Sequence, residues 1–204
     1  MDPRCTVWVA GTDSVPGRQR ALDLLRAAPG VEPGPRVLVI EGGGAAVGAT
    51  LGSGADATCF RDFVPDARFD TVLGVQAVEH LVTPARRLRG EAVRNLRDFF
   101  HAVRAWTTPG ARFVLYAIVA GRLPRRAEEI RGLARLTREN VLPGGCPRVE
   151  DVVRATGAAW EIRGIDTVVP STPHGGGGRP PHDRAWAFER GHVWSARFTL
   201  RRID

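Results

Sequence analysis

The chain has 204 residues, and all 29 of its basic residues are arginines, which against 22 Asp and Glu gives a net charge of +7. Without lysine the protein can neither form a Schiff base through an ε-amine nor hold phosphate with a P-loop lysine. The composition, 43% hydrophobic and 25% charged, is typical of a globular protein with one core. We therefore expect a single domain over residues 1–204.

The excess of arginine raises the question of nucleic-acid binding, because guanidinium groups pair well with phosphate. The arginines are scattered, however, acids stand among them in segments such as 125–131, and only one tyrosine is present to stack on bases. Exclusive use of arginine beside many Ala, Gly, Val and Pro residues is typical of a GC-rich genome, as in actinobacteria. We do not expect a nucleic-acid partner.

The three cysteines, Cys5, Cys59 and Cys146, are far apart and form no CxxC or Cys/His zinc pattern. The first residues show no signal-peptide pattern, and no apolar run approaches the ~20 residues of a membrane span. We expect reduced thiols, no structural metal, no membrane association and a cytoplasmic location.

Hydrophobic periodicity predicts an alternation of helices and strands in the first part of the chain. The predicted elements are a helix over 17–29, a buried strand over 37–40 that runs into glycines, a strand over 69–78, a helix over 86–106 and a strand over 112–120. Leu88, Leu96 and Phe100 belong to the predicted inward face of the long helix, and Pro109 and Gly110 predict a turn after it. This alternation is typical of an α/β fold with a parallel sheet.

The last part of the chain differs in character. Two further helices are predicted over 127–140 and 149–158. Segments 160–169 and 192–203 alternate apolar and polar residues, which predicts an antiparallel pair at the edge of the sheet. Between them, residues 170–184 are rich in Gly and Pro and are predicted to be a loop without regular structure.

Three segments, in order, resemble class I S-adenosylmethionine (SAM)-dependent methyltransferases of the cyclopropane-fatty-acid-synthase type. They are RVLVIEGGG at 36–44, FDTVLGVQAVEHL at 69–81 with the strand that follows its helix, and the segment 139–162. The resemblance implies a Rossmann-like fold in which glycine-loop amides receive the methionyl part of SAM. It also implies an acid after the second strand that holds the ribose hydroxyls.

The glycine loop departs from the family pattern. The cofactor-binding places fall on Glu41, Gly42, Gly43 and Gly44, where only Gly43 stands in register, so this loop is degenerate and we do not expect it to bind SAM. Only 26 positions separate Gly43 from Phe69, too few for the two βα units that the family has here. We expect the fold to be truncated around the second strand, which would leave the flank of the strand over 37–40 exposed.

In cyclopropane synthases, a glutamate, an isoleucine, a cysteine and a histidine help to hold a bicarbonate base. Glu79 and Ile118 match this set, whereas Gly42 and Tyr116 stand at the cysteine and histidine positions. Glu79 can equally be an acid at a helix N-terminus, where it favours the helix dipole. Glu79 and Tyr116 are therefore catalytic candidates only if the chain is active. The histidines His174, His182 and His192 fit no metal-ligand spacing and are interpreted as solvated loop residues.

The resemblance leads to two functional hypotheses. A third, independent of the resemblance, is that the chain is an arginine-rich adaptor for an acidic ligand. In the first, the chain is a non-catalytic subunit that pairs with an intact homologous methyltransferase in natural-product biosynthesis. SAM or SAH and the small-molecule substrate then lie in or near that partner. This hypothesis includes aziridine ring closure, because the chain resembles the small members of methyltransferase-like pairs of azinomycin biosynthesis. In the second, it is an active SAM-dependent C- or N-methyltransferase that binds SAM itself.

Overall fold

A computed structural model describes residues 6–10, 23–32, 35–41, 65, 67–82, 84–138, 146–168 and 182–204. Within them, six strands form one sheet, and a helical segment at 23–26 precedes the second strand. The strands are β1 (Thr6–Ala10), β2 (Arg36–Glu41), β3 (Phe69–Val75), β4 (Thr107–Ala120), β5 (Trp160–Val168) and β6 (Val193–Arg202). The helices are α1 (Pro84–Leu88), α2 (Ala92–Ala105), α3 (Ala127–Arg138), α4 (Val149–Thr156) and α5 (His182–Glu189).

The sheet has the order β1-β2-β3-β4-β6-β5. The first four strands are parallel, and β6 runs antiparallel to both β4 and β5. This arrangement confirms the predicted α/β class with a Rossmann-like parallel sheet and an antiparallel C-terminal edge. Among the described strands, the neighbour of β2 is β1, which precedes β2 in the chain, and this order is consistent with the predicted truncation around the second strand of the family.

That strand, β1, corrects one expectation. Residues 6–10 pair with residues 36–40 over five positions, from Thr6 opposite Arg36 to Ala10 opposite Ile40. The sequence had suggested that the flank of β2 is exposed. In the structure, residues 6–10 of the same chain cover it. The backbone groups of a buried strand need hydrogen-bond partners on both sides, and β1 provides them for β2.

The predicted long helix is two helices. Gly90 has a φ of 71°, a left-handed conformation that stops α1 before α2 begins at Ala92. The chain direction changes there, so Leu88 is 90% exposed instead of facing inward, whereas Leu96 and Phe100 are fully buried as predicted. The predicted turn at 109–110 is a bulge inside β4. Phe69 pairs with Thr107 and Thr71 pairs with Arg112, so β4 has three more residues than β3 between these two pairs.

The main core lies between one face of the sheet and helices α2 and α4. Its centre is an aromatic group of Phe99, Phe100, Phe113 and Trp160, in which the Phe113 and Trp160 ring centroids lie 5.4 Å apart. Trp160 is buried, and its indole Nε1 donates a hydrogen bond of 2.9 Å to the carbonyl of Phe100. This bond ties β5 to α2.

The other face of the sheet carries two smaller clusters. Near β2, segment 23–32 packs Leu25 and Ala28 against Val39 and Val114. Near the end of β4, α3 and α5 pack Leu136 and Ala187 on the sheet. Helix α5 begins at His182, within the segment 170–184 that was predicted to be irregular. Its apolar residues Ala187 and Phe188 explain this difference, because burial against the sheet favours a helix that local composition does not.

We expect Trp160→Phe to lower the free energy of unfolding by about 2 kcal/mol, because it removes a buried hydrogen bond and leaves a cavity. Trp194→Phe is the control, since Trp194 is only partly buried beside the same core and donates no hydrogen bond within the described residues. Urea unfolding followed by circular dichroism measures both. Equal losses would contradict the role assigned to the Trp160 bond.

Candidate functional site

The carboxyl ends of β2, β3 and β4 meet at one edge of the sheet, because the three strands are parallel. Glu41 ends β2 opposite Val75, and Val75 lies opposite Tyr116. Ligands of α/β proteins bind at this edge. Gly42, Gly43 and Gly44, the other predicted cofactor residues, lie outside the described residues.

Strand β4 continues past the end of β3, so its backbone needs other partners on that side. Tyr116 O accepts from Gln76 N at 2.8 Å, and Ala120 N donates to Pro147 O at 2.8 Å. Between them, Ile118 N donates to Glu79 Oε1 at 2.6 Å. The carboxylate of Glu79 thus takes the place that a strand carbonyl would have.

Glu79 is 1% exposed and opens a one-turn 3₁₀ helix over Glu79–Leu81. Its Oε2 accepts a second backbone bond, of 3.1 Å, from Val78 N. The structure therefore brings together Glu79 and Ile118, the two residues that match the bicarbonate site. Glu79 does stand at a helix N-terminus, but its contacts also reach across to β4. A buried carboxylate needs such donors, because an unpaired charge in a protein interior is costly.

Tyr116 faces the helical segment on the other side of the sheet from the main core. Its hydroxyl donates a bond of 2.9 Å to Leu24 O, so it holds a carbonyl near the end of that segment. Tyr116 pairs in register with Arg197 of β6. Arg197 binds Asp166 through Nη2 at 2.7 Å and donates through Nη1 to Ala27 O at 2.9 Å.

On the sheet, Arg197 of β6 lies between Tyr116 of β4 and Asp166 of β5, and the Arg197 side chain is 12% exposed. Burial by itself lowers the pKa of Arg197, but the hydrogen bonds with Asp166 and Tyr116 outweigh it, so the pKa is raised above its usual value. The guanidinium stays charged and binds the carboxylate of Asp166 and the carbonyl of Ala27, which directly follows the helical segment.

Gln76 was not singled out in the sequence. It has a φ of 52°, which places a residue other than glycine in the left-handed region directly after β3. Such strain costs on the order of 1–3 kcal/mol and is concentrated at ligand-binding edges. Nothing in the local sequence indicates this conformation, and in the structure Gln76 N donates a hydrogen bond to Tyr116 O of the neighbouring strand.

A second buried carboxylate lies beyond the end of β4. Glu129 of α3 is 3% exposed, and Arg122 binds its Oε1 at 2.6 Å. Arg125 N also donates to its Oε2, at 2.9 Å. These contacts hold the pKa of Glu129 at about 2, with the Arg122 bond as the largest cause and the Arg125 amide next.

His192 corrects a further interpretation. It is 4% exposed instead of solvated, and its Nε2 lies 3.8 Å from Glu129 Oε1. Its ring centroid is 5.4 Å from that of Trp186. His174 and the side chain of His182 lie outside what the structure describes. Within the described part of the chain, no group of three His, Cys, Asp or Glu residues is placed to hold a metal ion.

We expect Glu129→Gln to destabilise the protein near pH 7 and to leave it less sensitive to acid. The folded-state pKa of about 2 lies below the usual 4.5, so the contribution is present above about pH 4.5 and is lost as the pH falls towards 2. The control is Glu128→Gln, since the Glu128 side chain is 64% exposed. Thermal unfolding from pH 7 to pH 3 measures both. Parallel curves for Glu129→Gln and the wild type would contradict this assignment.

We expect Tyr116→Phe to cost about 1 kcal/mol and to speed amide exchange in segment 23–28, because one carbonyl of that segment loses its partner. Hydrogen exchange with mass spectrometry measures this. Unchanged exchange in this segment would show that the hydroxyl does not hold it.

Comparison with known proteins finds similarity of fold alone. No protein-family model matches the chain, and no curated protein is similar to it in sequence. Among solved structures, the cyclopropane synthase MmaA2 of Mycobacterium tuberculosis is similar with a TM-score of 0.58 at 15% identity, over 98% of this chain and 79% of that one. Geranyl diphosphate C-methyltransferase of Streptomyces coelicolor, in complex with Mg²⁺, geranyl diphosphate and S-adenosyl-L-homocysteine, gives 0.56 at 13%, over 91% and 79%.

The mycolic acid cyclopropane synthase CmaA1, complexed with SAH and CTAB, gives a TM-score of 0.57 at 15% identity, over 98% of this chain and 79% of that one. Identities this low show a shared fold and no more. The fold is that of class I SAM-dependent methyltransferases. No helix among the described residues is long and apolar enough to cross a membrane.

Proposed function

We propose that this chain is a non-catalytic methyltransferase-like subunit that pairs with an intact, SAM-binding homologue and stabilises or completes its active site. The setting is the cytoplasm and natural-product biosynthesis in an actinobacterium. The reaction is aziridine ring closure, in which a nitrogen of the substrate forms a bond to a carbon of the same molecule as the bond from that carbon to a leaving group breaks, so that an intramolecular displacement replaces methyl transfer. SAM or SAH and the small-molecule substrate are bound in or near the partner.

The observation that carries this proposal is the environment of Glu79. A general base must reach the proton that it removes, and its lone pairs must be available to substrate. Glu79 is 1% exposed, and its two oxygens accept hydrogen bonds from Val78 N and Ile118 N. The carboxylate that the resemblance makes a catalytic candidate therefore completes the sheet.

The second catalytic candidate is engaged in the same way. The Tyr116 hydroxyl donates a hydrogen bond to Leu24 O, and Tyr116 lies beside Arg197. Removing these side chains would take a hydrogen-bond partner from a buried backbone amide in the case of Glu79 and from a part-buried carbonyl in the case of Tyr116. Both are better explained as parts of the scaffold than as acid and base.

The strand order supports the proposal that this chain lacks the strand that carries the ribose-binding acid. In the family that the sequence resembles, the ribose-binding acid follows a strand that comes after the glycine loop. Here the neighbour of β2 is β1, which comes before it. Among the described strands, β1 is also the outermost on this side, and the free edge of a strand is a surface on which another chain can pair.

One observation favours the alternative of an active C- or N-methyltransferase. Strand β1 lies parallel to β2 on the flank where that family has its ribose-holding strand. The first acid after β1 in the sequence is Asp13. If the chain binds SAM itself, Asp13→Asn should abolish that binding, whereas Asp2→Asn, before β1, should leave it unchanged.

We expect calorimetric titration of the isolated chain with SAM and SAH to show no binding at micromolar concentrations. In size-exclusion chromatography with the homologous methyltransferase from its own gene cluster, the chain should co-elute and the complex should bind SAM. Micromolar binding of SAM to the isolated chain would contradict the proposal. A chain that elutes as a monomer in the presence of the homologue would also contradict it.

We expect Glu79→Gln to lower the free energy of unfolding by about 1–3 kcal/mol, because the glutamine side chain offers one neutral oxygen to the two backbone amides that the carboxylate binds. At a temperature where the variant is folded, turnover by the complex should be unchanged. A loss of ~100-fold or more, the size expected for a missing acid–base group, would instead identify Glu79 as catalytic.

A further inference from the structure

Arginines lie along the edge of the sheet at which the parallel strands begin. Arg68 directly precedes β3, and Arg104 belongs to the last turn of α2, which leads into β4. Strand β6 runs antiparallel to β4, so it ends at this edge, where it carries Arg201 and Arg202. Arg112 of β4 lies directly opposite Arg201. Together these five residues form the arginine edge.

The arginine edge has no carboxylate of its own. Within the described part of the chain, none of the five guanidinium groups forms an ion pair. Three of them donate to backbone carbonyls instead: Arg104 at 3.1 Å, Arg112 at 3.0 Å, and Arg202. The other two, Arg68 and Arg201, are exposed. Like charges that lie opposite each other on neighbouring strands, as Arg112 and Arg201 do, repel.

Two members of the arginine edge are partly buried and have a donor without an acceptor. Arg104 Nε and Arg202 Nε are both closed off from solvent, and neither has a hydrogen-bond partner among the described residues. Burial lowers the pKa of Arg202, and the charges of Arg104 and Arg68 lower it further, whereas Asp204 raises it. Partly buried charges of one sign are costly unless an opposite charge compensates them.

The acids beside these arginines do not balance them. Four described acids belong to the ends of the same strands or to the segments next to them: Asp70, Glu161, Glu32 and Asp204. Asp70 is engaged with Arg36, whose Nε lies 4.0 Å from it, and Glu161 binds Arg163 at 2.8 Å. The other two form no ion pair in the described part of the chain. Two carboxylates against five guanidinium groups leave three positive charges at this edge.

We propose that the arginine edge is the surface on which an acidic patch of the homologous methyltransferase docks, an inference that rests on the pairing proposed above. Carboxylates of the partner supply the counter-charges that this chain lacks. Complementary charges of this kind speed association and fix the orientation of the two proteins.

The chemistry of the edge favours an acidic protein surface over a nucleic acid. Trp106 and Trp160 are the tryptophans nearest to Arg104 and Arg202, and both are buried. They therefore offer no ring on which a base could stack, and binding of single strands depends on such stacking.

The salt dependence of the association rate tests the electrostatic part of the proposal. Surface plasmon resonance measures binding of the chain to the homologue from its own gene cluster. We expect the association rate to fall about tenfold between about 10 mM and about 150 mM NaCl, because salt screens charges that steer the encounter. An association rate that does not change with salt would overturn the proposal.

Two double variants test the place. Arg68→Gln with Arg201→Gln removes the two exposed charges of the arginine edge. The control is Arg125→Gln with Arg131→Gln, beyond the carboxyl end of β4, where Arg131 shares a groove with Arg190 and Trp186. We expect the first pair to slow association about tenfold and the second less than about twofold. All four arginines are exposed, so circular dichroism should show both variants folded.

The outcomes separate this inference from the pairing itself. If the wild-type chain does not bind the homologue, the pairing is wrong and the docking surface falls with it. If the wild type binds and both double variants associate equally fast, the pairing stands and docking at the arginine edge is overturned. A thymidylate strand of about 20 nucleotides that binds the wild type but not Arg68→Gln with Arg201→Gln would also overturn it, in favour of a nucleic acid.

Discussion

The backbone of β4 sets the constraint on which the rest of the structure depends. This strand runs from Thr107 to Ala120 through the middle of the sheet, and each of its buried amides needs an acceptor. Beyond Val75 the neighbouring strand has ended, and the carboxylate of Glu79 and the carbonyl of Pro147 supply the acceptors instead. The turn after β3 and the segment that leads into α4 are thereby fixed against the sheet.

This constraint connects stability with function. The carboxyl edge of the sheet is where the fold places ligands, yet its two candidate catalytic side chains, Glu79 and Tyr116, are engaged in holding β4 and the helical segment. A scaffold that uses these groups for its own integrity has fewer left for proton transfer.

Much of the fold could be predicted where the hydrophobic pattern of a single helix or strand is enough to indicate its type and its buried face. The alternation in β5 and β6 indicated the antiparallel edge, and the apolar spacing of α2 indicated Leu96 and Phe100 as core residues. Prediction was wrong where a distant contact decides. His192 is buried because it packs beside Trp186, and β1 is a strand because β2 offers it an edge. Leu88 is a local exception, because the left-handed Gly90, two residues further on, redirects the chain.

The site shows the same division. The sequence by itself determined that the chain is an α/β protein, that it lacks lysine chemistry, and that Glu79 and Ile118 are the residues to compare, since composition, periodicity and motif order are local properties of the chain. Only the tertiary structure decided that Glu79 binds the amide of Ile118, that Gln76 is strained, and that Arg131, Arg190 and Trp186 share a groove. The reason is physical, because hydrogen-bond partners, burial and charge balance depend on residues that are far apart in the sequence and meet only when the chain folds.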